Sequence, residues 1–143
     1  MRNILLAFDG SDNAKRALQY IIDFAADLAK PLQVHVLNVQ QEPVLYGEFV
    51  TADTVEDLNQ SFLDRSRRTL AEAAAALEAA GIPHETHAIL GNVAEQVGDA
   101  VKRLGCDTVV MGTRGLGSFS GMLLGSVANR VVHDVSVPVL LVK

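Results

Sequence analysis

The chain of 143 residues is 49% apolar and 20% charged, with a formal net charge of −5. This size suits one domain over residues 1–143 with a core of its own, and this balance excludes intrinsic disorder. The lysines and arginines are scattered, apart from Arg65, Arg67 and Arg68 on what reads as a solvated helix face, which argues against nucleic acid as a general partner.

The opening run Ile4-Leu5-Leu6-Ala7-Phe8 is continuous and apolar, as in a strand buried on both faces. It breaks at Asp9, too soon for a signal peptide, and no later run approaches about 18 apolar residues. A cytoplasmic chain with no membrane span is expected. Asp9-Gly10-Ser11-Asp12 offers N-cap oxygens to a helix whose apolar positions recur from Ala14 to Ala29, with Pro31 as its stop. Val34 to Val39 reads as a second strand. Residues 40–54 are irregular and long for a connection, either a cover for a ligand or a plain connector. Helical period returns from Val55 to Ala80, where Gly81 suits a left-handed C′ position and Pro83 blocks continuation. His84 to Leu90 is a third strand. Asn92 and Glu95 form a capping-box pattern ahead of a third helix, which Gly105 ends. Cys106 is expected as a small buried side chain, with no base nearby to make it a nucleophile. Thr108 to Met111 is the fourth strand. A glycine-rich stretch then leads into a helix through Val127, Val131 and Val132, and Pro138 introduces a last strand, Val139 to Val142. Such alternation predicts a parallel sheet with helices on both faces and a ligand crevice where the winding reverses. Periodicity alone does not say which two strands flank it.

Five of the eleven glycines fall between Gly112 and Gly125. They lie where a buried strand ends and a helix begins, so backbone N–H groups and the helix N-terminus can face an anion. Glycine accepts positive φ and lets a ligand approach the main chain. Ser126, expected as the N-cap, adds a hydroxyl. A phosphate chain is the natural guest. The stretch is not a Walker A loop, because Gly125-Ser126 lacks the lysine. Nor is it a dinucleotide fingerprint, because Ser120 stands where the third glycine belongs and the first strand is not the one it follows.

The spacing Gly112-x2-Gly115-x9-Gly125-Ser126 resembles that of the universal stress protein family, in its ATP-binding branch. The likeness extends over the whole chain, through "ILLAFDGSDNAKRAL", "VHVLNV", "DTVVMGTRG", "LLGSVANRVV" and "PVLLVK". It implies a single-domain three-layer α/β/α sandwich around a five-stranded parallel sheet of order 3-2-1-4-5, Rossmann-like or flavodoxin-like, with the crevice between strands 1 and 4. It implies ATP as ligand, with ADP or AMP as alternatives and Mg2+ carried on the phosphates. By the same resemblance Asp9 meets the nucleoside end, beside Ala7, and Val36 lines the adenine. Met111 and Gly112 lie near the ribose and phosphates, and Gly115, Gly125, Ser126 and Val127 bind the phosphates. Arg114 is a candidate phosphate contact.

Turnover finds little support in these residues. No lysine, glutamine or carboxylate lies between Gly112 and Ser126 to organise hydrolysis, so a regulatory binder without efficient catalysis is expected, slow hydrolysis remaining open. His84 and His87 are three apart on one strand and face opposite sides, so no metal site built by protein side chains is expected. The apolar last strand ends the chain at a sheet edge in the family-like order, which predicts a homodimer paired through Val139–Val142. The resemblance leaves two readings of function: a nucleotide-dependent stress-response regulator acting on a protein partner, or a dimeric interaction module without nucleotide.

Overall fold

The apolar runs become strands. In the computed structural model, which describes residues 1–42, 47–48, 50–115 and 124–143, β1 spans Asn3–Ala7, β2 Gln33–Gln40, β3 His84–Leu90, β4 Thr108–Gly112 and β5 Val139–Val142. They form one parallel sheet of order β3-β2-β1-β4-β5, as the resemblance implied. The helices α1 (Asp12–Ala26), α2 (Ala52–Ala79), α3 (Val93–Leu104) and α4 (Ser126–Asp134) fill the connections.

Because successive strand residues point to opposite faces, the sheet builds two cores. Ile4, Leu6, Phe8, Val34, Val36 and Val110 pack under α1 and α2 with Ala14, Ile21, Leu70, Ala73 and Leu77. Leu5, Leu37, Val109 and Met111 pack under α3 and α4 with Val97, Val101 and Val131. The central strands β1 and β4 are covered on both sides, which is why their sequences are apolar without alternation.

The polar signals set most helix ends. The Ser11 Oγ accepts the Ala14 N–H at 3.2 Å and the Asp9 carboxylate accepts the Ser11 N–H at 2.9 Å. Asn92 Oδ1 accepts the Glu95 N–H at 3.1 Å, and Gly105 closes α3 with φ 63°. Gly81, with φ 68°, follows the C-cap of α2. Two boundaries differ from the expectation. α1 ends at Ala26, its last turn tightened by Asp27 N–H to Phe24 and Leu28 N–H to Ala25, so Leu28 leaves the helix and is 37% exposed. α2 begins at Ala52, capped by the Thr51 hydroxyl, before its apolar positions start. In the connection ahead of it, read from the sequence as either a cover or a plain connector, Pro43 to Tyr46 and Phe49 lie outside the described residues.

Asp107 pins the start of the chain to β4: its carboxylate accepts the Arg2 and Asn3 N–H groups at 2.9 and 3.0 Å and the Thr108 hydroxyl at 2.8 Å. Burial works to raise its pKa, but these hydrogen bonds and the N-terminal charge together hold it below the usual value. The Cys106 thiol is pushed up to about 11 by burial and by Asp107 beside it, consistent with an inert core side chain. On edge strand β3, burial, His35 and Arg103 lower the pKa of His87, with Glu85 opposing them. None of the described helices is long and apolar enough to cross a membrane.

Candidate functional site

The connections from β1 and β4 leave in opposite directions, one toward β2 and the other toward β5. A gap therefore opens beyond the carboxyl ends of these two neighbours. It is a cleft of about 690 Å³, within the range that holds small molecules. Its floor is apolar: Leu37 and Val39 from β2, Val93 and Val97 from α3, Met111 from β4 and Ala128 from α4. Its polar side carries Asp9, Ser11, Arg114, Gly115, Gly125 and Ser126. The cleft thus offers apolar surface for a flat ring and hydrogen-bonding groups beside a helix N-terminus for an anionic tail.

All the residues singled out from the sequence line this cleft except Val36. Ala7, Asp9, Met111, Gly112, Arg114, Gly115, Gly125, Ser126 and Val127 do. Val36 is fully buried in the opposite core, against Leu6 and Phe8. The period-2 alternation that puts Leu37 on the cleft side turns Val36 away from it. The β2 residues that line the cleft are Leu37, Asn38, Val39 and Gln40. Asn38 is 2% exposed and satisfied: it donates to the Phe8 carbonyl at 2.8 Å and accepts from Gln40 at 2.9 Å. With Phe8 N–H on the Leu37 carbonyl at 2.9 Å, this ties the ends of β1 and β2 together at the floor. A polar residue inside an apolar strand is the one sequence signal that marked Asn38.

The glycines divide by role. A Cβ on Gly112 would stand 2.7 Å from the Asn13 Cβ and 3.0 Å from its backbone carbon. Gly112 is therefore needed for close approach of α1 to β4. A Cβ on Gly115 would stand 2.6 Å from Asp9 Oδ2, so this glycine makes room for the carboxylate at the cleft. Gly125 has an ordinary φ of −67°. Positive φ among the described glycines falls at Gly10, Gly47, Gly81, Gly91 and Gly105 instead. The expected use of left-handed backbone does not extend to Gly112, Gly115 or Gly125. Gly117 and Gly121 lie outside the described residues.

Ser126 is also placed differently from the expectation. Gly125 is the N-cap of α4, and no side chain caps it. Its N–H is taken by the Thr113 carbonyl at 2.7 Å, which anchors the helix start through the main chain instead of a capping hydroxyl. Ser126 is the first helical residue and is exposed on the cleft. Ser126, Val127 and Ala128 all border the cleft at the helix start, where N–H groups have no intrahelical acceptor. Thr113 was not singled out from the sequence, yet it holds both ends of the glycine-rich segment. Its N–H donates to Val142 at 2.9 Å, its carbonyl receives Gly125, and its hydroxyl receives the Asn13 side chain at 3.1 Å. Arg16 in turn donates to Asn13 and, at 2.6 Å, to the Lys143 carbonyl.

The universal stress protein family model matches residues 1–143. The chain belongs to the universal stress protein family. A relative from Thermus aquaticus, described as a universal stress protein in the QAH/OAS sulfhydrylase 3′ region, is 38% identical over 99% of this chain and 98% of its own. The solved structure of hypothetical protein MJ0577 is 25% identical and superposes with a TM-score of 0.86, covering 99% of this chain and 95% of that one. Universal stress protein UspA from Lactobacillus plantarum, 18% identical, shares the fold with a TM-score of 0.84 over 99% and 97%. Some family members with the same fold have been solved with a nucleotide: one from Arabidopsis thaliana with AMP, another with cAMP, and one from Archaeoglobus fulgidus with dAMP.

Proposed function

We propose that this cleft binds an adenine nucleotide, ATP with Mg2+ carried on its phosphates, and that the protein is a cytoplasmic nucleotide-dependent regulator in a stress response. The observation that carries the reading is the union, in one cleft, of an apolar floor and a helix N-terminus faced by Gly115, Gly125 and Ser126. Adenine fits against Leu37, Val39 and Met111. Asp9, at the end of β1, suits the ribose hydroxyls. The phosphates fit at the start of α4, with Arg114 as the cation within reach. The nucleotides seen in fold relatives support the ligand class. Mg2+ then needs few protein ligands, because it rides on phosphate oxygens.

The same reading has a homodimer paired through β5, an edge strand that has β4 on one side and, among the described residues, no strand on the other. Bound nucleotide would change a surface that a protein partner reads. The test is to denature purified protein, identify any released nucleotide by chromatography, then titrate the refolded chain with ATP, ADP and AMP by calorimetry. Release or saturable binding of an adenine nucleotide at one per chain supports the reading. A protein that releases none and shows no heat with any of the three leaves the dimeric module without nucleotide. Light scattering at micromolar concentration checks the dimer, and a monomeric mass refutes that part.

A further inference from the structure

The register of β2 and β3 sets His35 opposite Glu85, and His87 lies two residues further along β3 on the same face. Three side chains from two separate strands therefore converge. His35 Nδ1 is 3.1 Å from His87 Nε2 and 3.5 Å from the Glu85 carboxylate, and His87 Nε2 is 3.9 Å from that carboxylate. We propose that His35, Glu85 and His87 form a binding site for a divalent transition-metal ion of the zinc class, bridging β2 and β3 on the far side of β1 from β4.

The two imidazoles share a hydrogen bond at 3.1 Å, and the same spacing accommodates an ion in its place. A triangle with these three sides has a centre about 2 Å from every corner, which is the bond length of zinc to imidazole nitrogen and carboxylate oxygen. The donor set, two imidazoles and one carboxylate, is one that zinc accepts with water in the fourth position. His35 is buried and His87 nearly so, while the Glu85 side chain is 62% exposed. The rings are thus held in place, and the carboxylate side provides both entry from solvent and room for the water. The expectation of no metal site came from pairing His84 with His87, and those two do face apart. His84 Nδ1 is engaged with the Ile82 carbonyl at 2.8 Å. The partner that matters comes from the neighbouring strand. An ion here would fasten β3, the other edge of the sheet, to β2.

The test is titration of Zn2+ alone into the full chain, freed of any purification tag, against a chromophoric chelator, with the melting temperature followed in parallel. The expected result is one ion per chain at micromolar or lower concentration and a melting temperature that rises with Zn2+. His87→Ala and Glu85→Gln remove direct ligands, so each should weaken binding by at least the about 10- to 100-fold typical of outer partners. His84→Ala and His133→Ala should bind as the unaltered chain does. Because Glu85 is exposed, Glu85→Gln remains folded and decides the matter even where His87→Ala does not fold. No binding at tens of micromolar Zn2+, or equal affinity in Glu85→Gln, would overturn the proposal.

Discussion

Adding one methyl group at three glycines should give three different results. In Gly112→Ala the new Cβ meets the Asn13 Cβ at 2.7 Å, its backbone carbon at 3.0 Å and the Ala14 nitrogen at 3.1 Å. Two of these atoms belong to the backbone of α1, so relief requires the helix to move off β4, through buried Asn13 and Ala14. Overpacking of this kind costs about 1–3 kcal/mol, and the backbone contacts put Gly112→Ala at about 2 kcal/mol or more. For a chain of 143 residues that is a melting temperature lower by about 7 °C. Gly98→Ala is the opposite case. Gly98 lies inside α3, and a Cβ there would meet nothing within 4 Å, so alanine should stabilise by about 0.5–1 kcal/mol through helix propensity. Gly115→Ala meets the carboxylate of one short side chain, Asp9, and no backbone atom within 4 Å, so that side chain must shift. It should change stability little and weaken nucleotide binding by displacing the carboxylate. Differential scanning calorimetry of the three variants, with ATP titrations of the folded ones, reads all of this. A Gly112→Ala protein that melts with the unaltered chain would refute the packing argument.

Thr113→Val removes the hydroxyl that receives Asn13 and should cost about 1 kcal/mol by urea denaturation, with weaker nucleotide binding because the glycine-rich segment loses an anchor. Asp107 has a folded-state pKa below its unfolded value, so its contribution is present above the ordinary carboxylate range and is lost as the pH falls through the folded-state value. Asp107→Asn should therefore be less stable at neutral pH and show a flatter loss of stability below about pH 4, measured by chemical denaturation across an acid series. Cys106, with its thiol pushed up to about 11, should resist iodoacetamide in the native protein at pH 8 and react on unfolding. Rapid native alkylation, followed by mass spectrometry, would contradict the buried assignment.

How much was legible in the sequence differs from element to element. The strands, the caps at Asn92, Gly81 and Gly105, and a cap within Asp9–Asp12 were readable because each depends on a few adjacent residues; that Ser11 supplies the last of these is seen in the structure. The order β3-β2-β1-β4-β5 came from the family resemblance, since periodicity says which face is apolar but not which strands meet. That a crevice lies where strands end is readable from the alternation of elements, but its placement at the ends of β1 and β4, and the residues there, came from the family resemblance. Val36 is a position given by the resemblance alone; its side chain packs in the opposite core, and a strand buried on both faces has no polar alternation from which the sequence could show that. Ser126 was read as the cap because a hydroxyl normally takes that place. The Thr113 carbonyl anchors the helix start instead, and main-chain partners leave no mark in a sequence. Asn13, Thr113 and the meeting of His35 with His87 all depend on contacts between distant segments, so residue spacing along one element does not reveal them.

The most direct measurement is a crystal structure of the chain grown with excess Mg2+ and ATP. The account predicts the adenine against Leu37, Val39 and Met111, the ribose at Asp9, and the phosphates on the N–H groups that begin α4 beside Gly115 and Gly125. A nucleotide seated anywhere else, or a cleft left without one at saturating concentration, contradicts it.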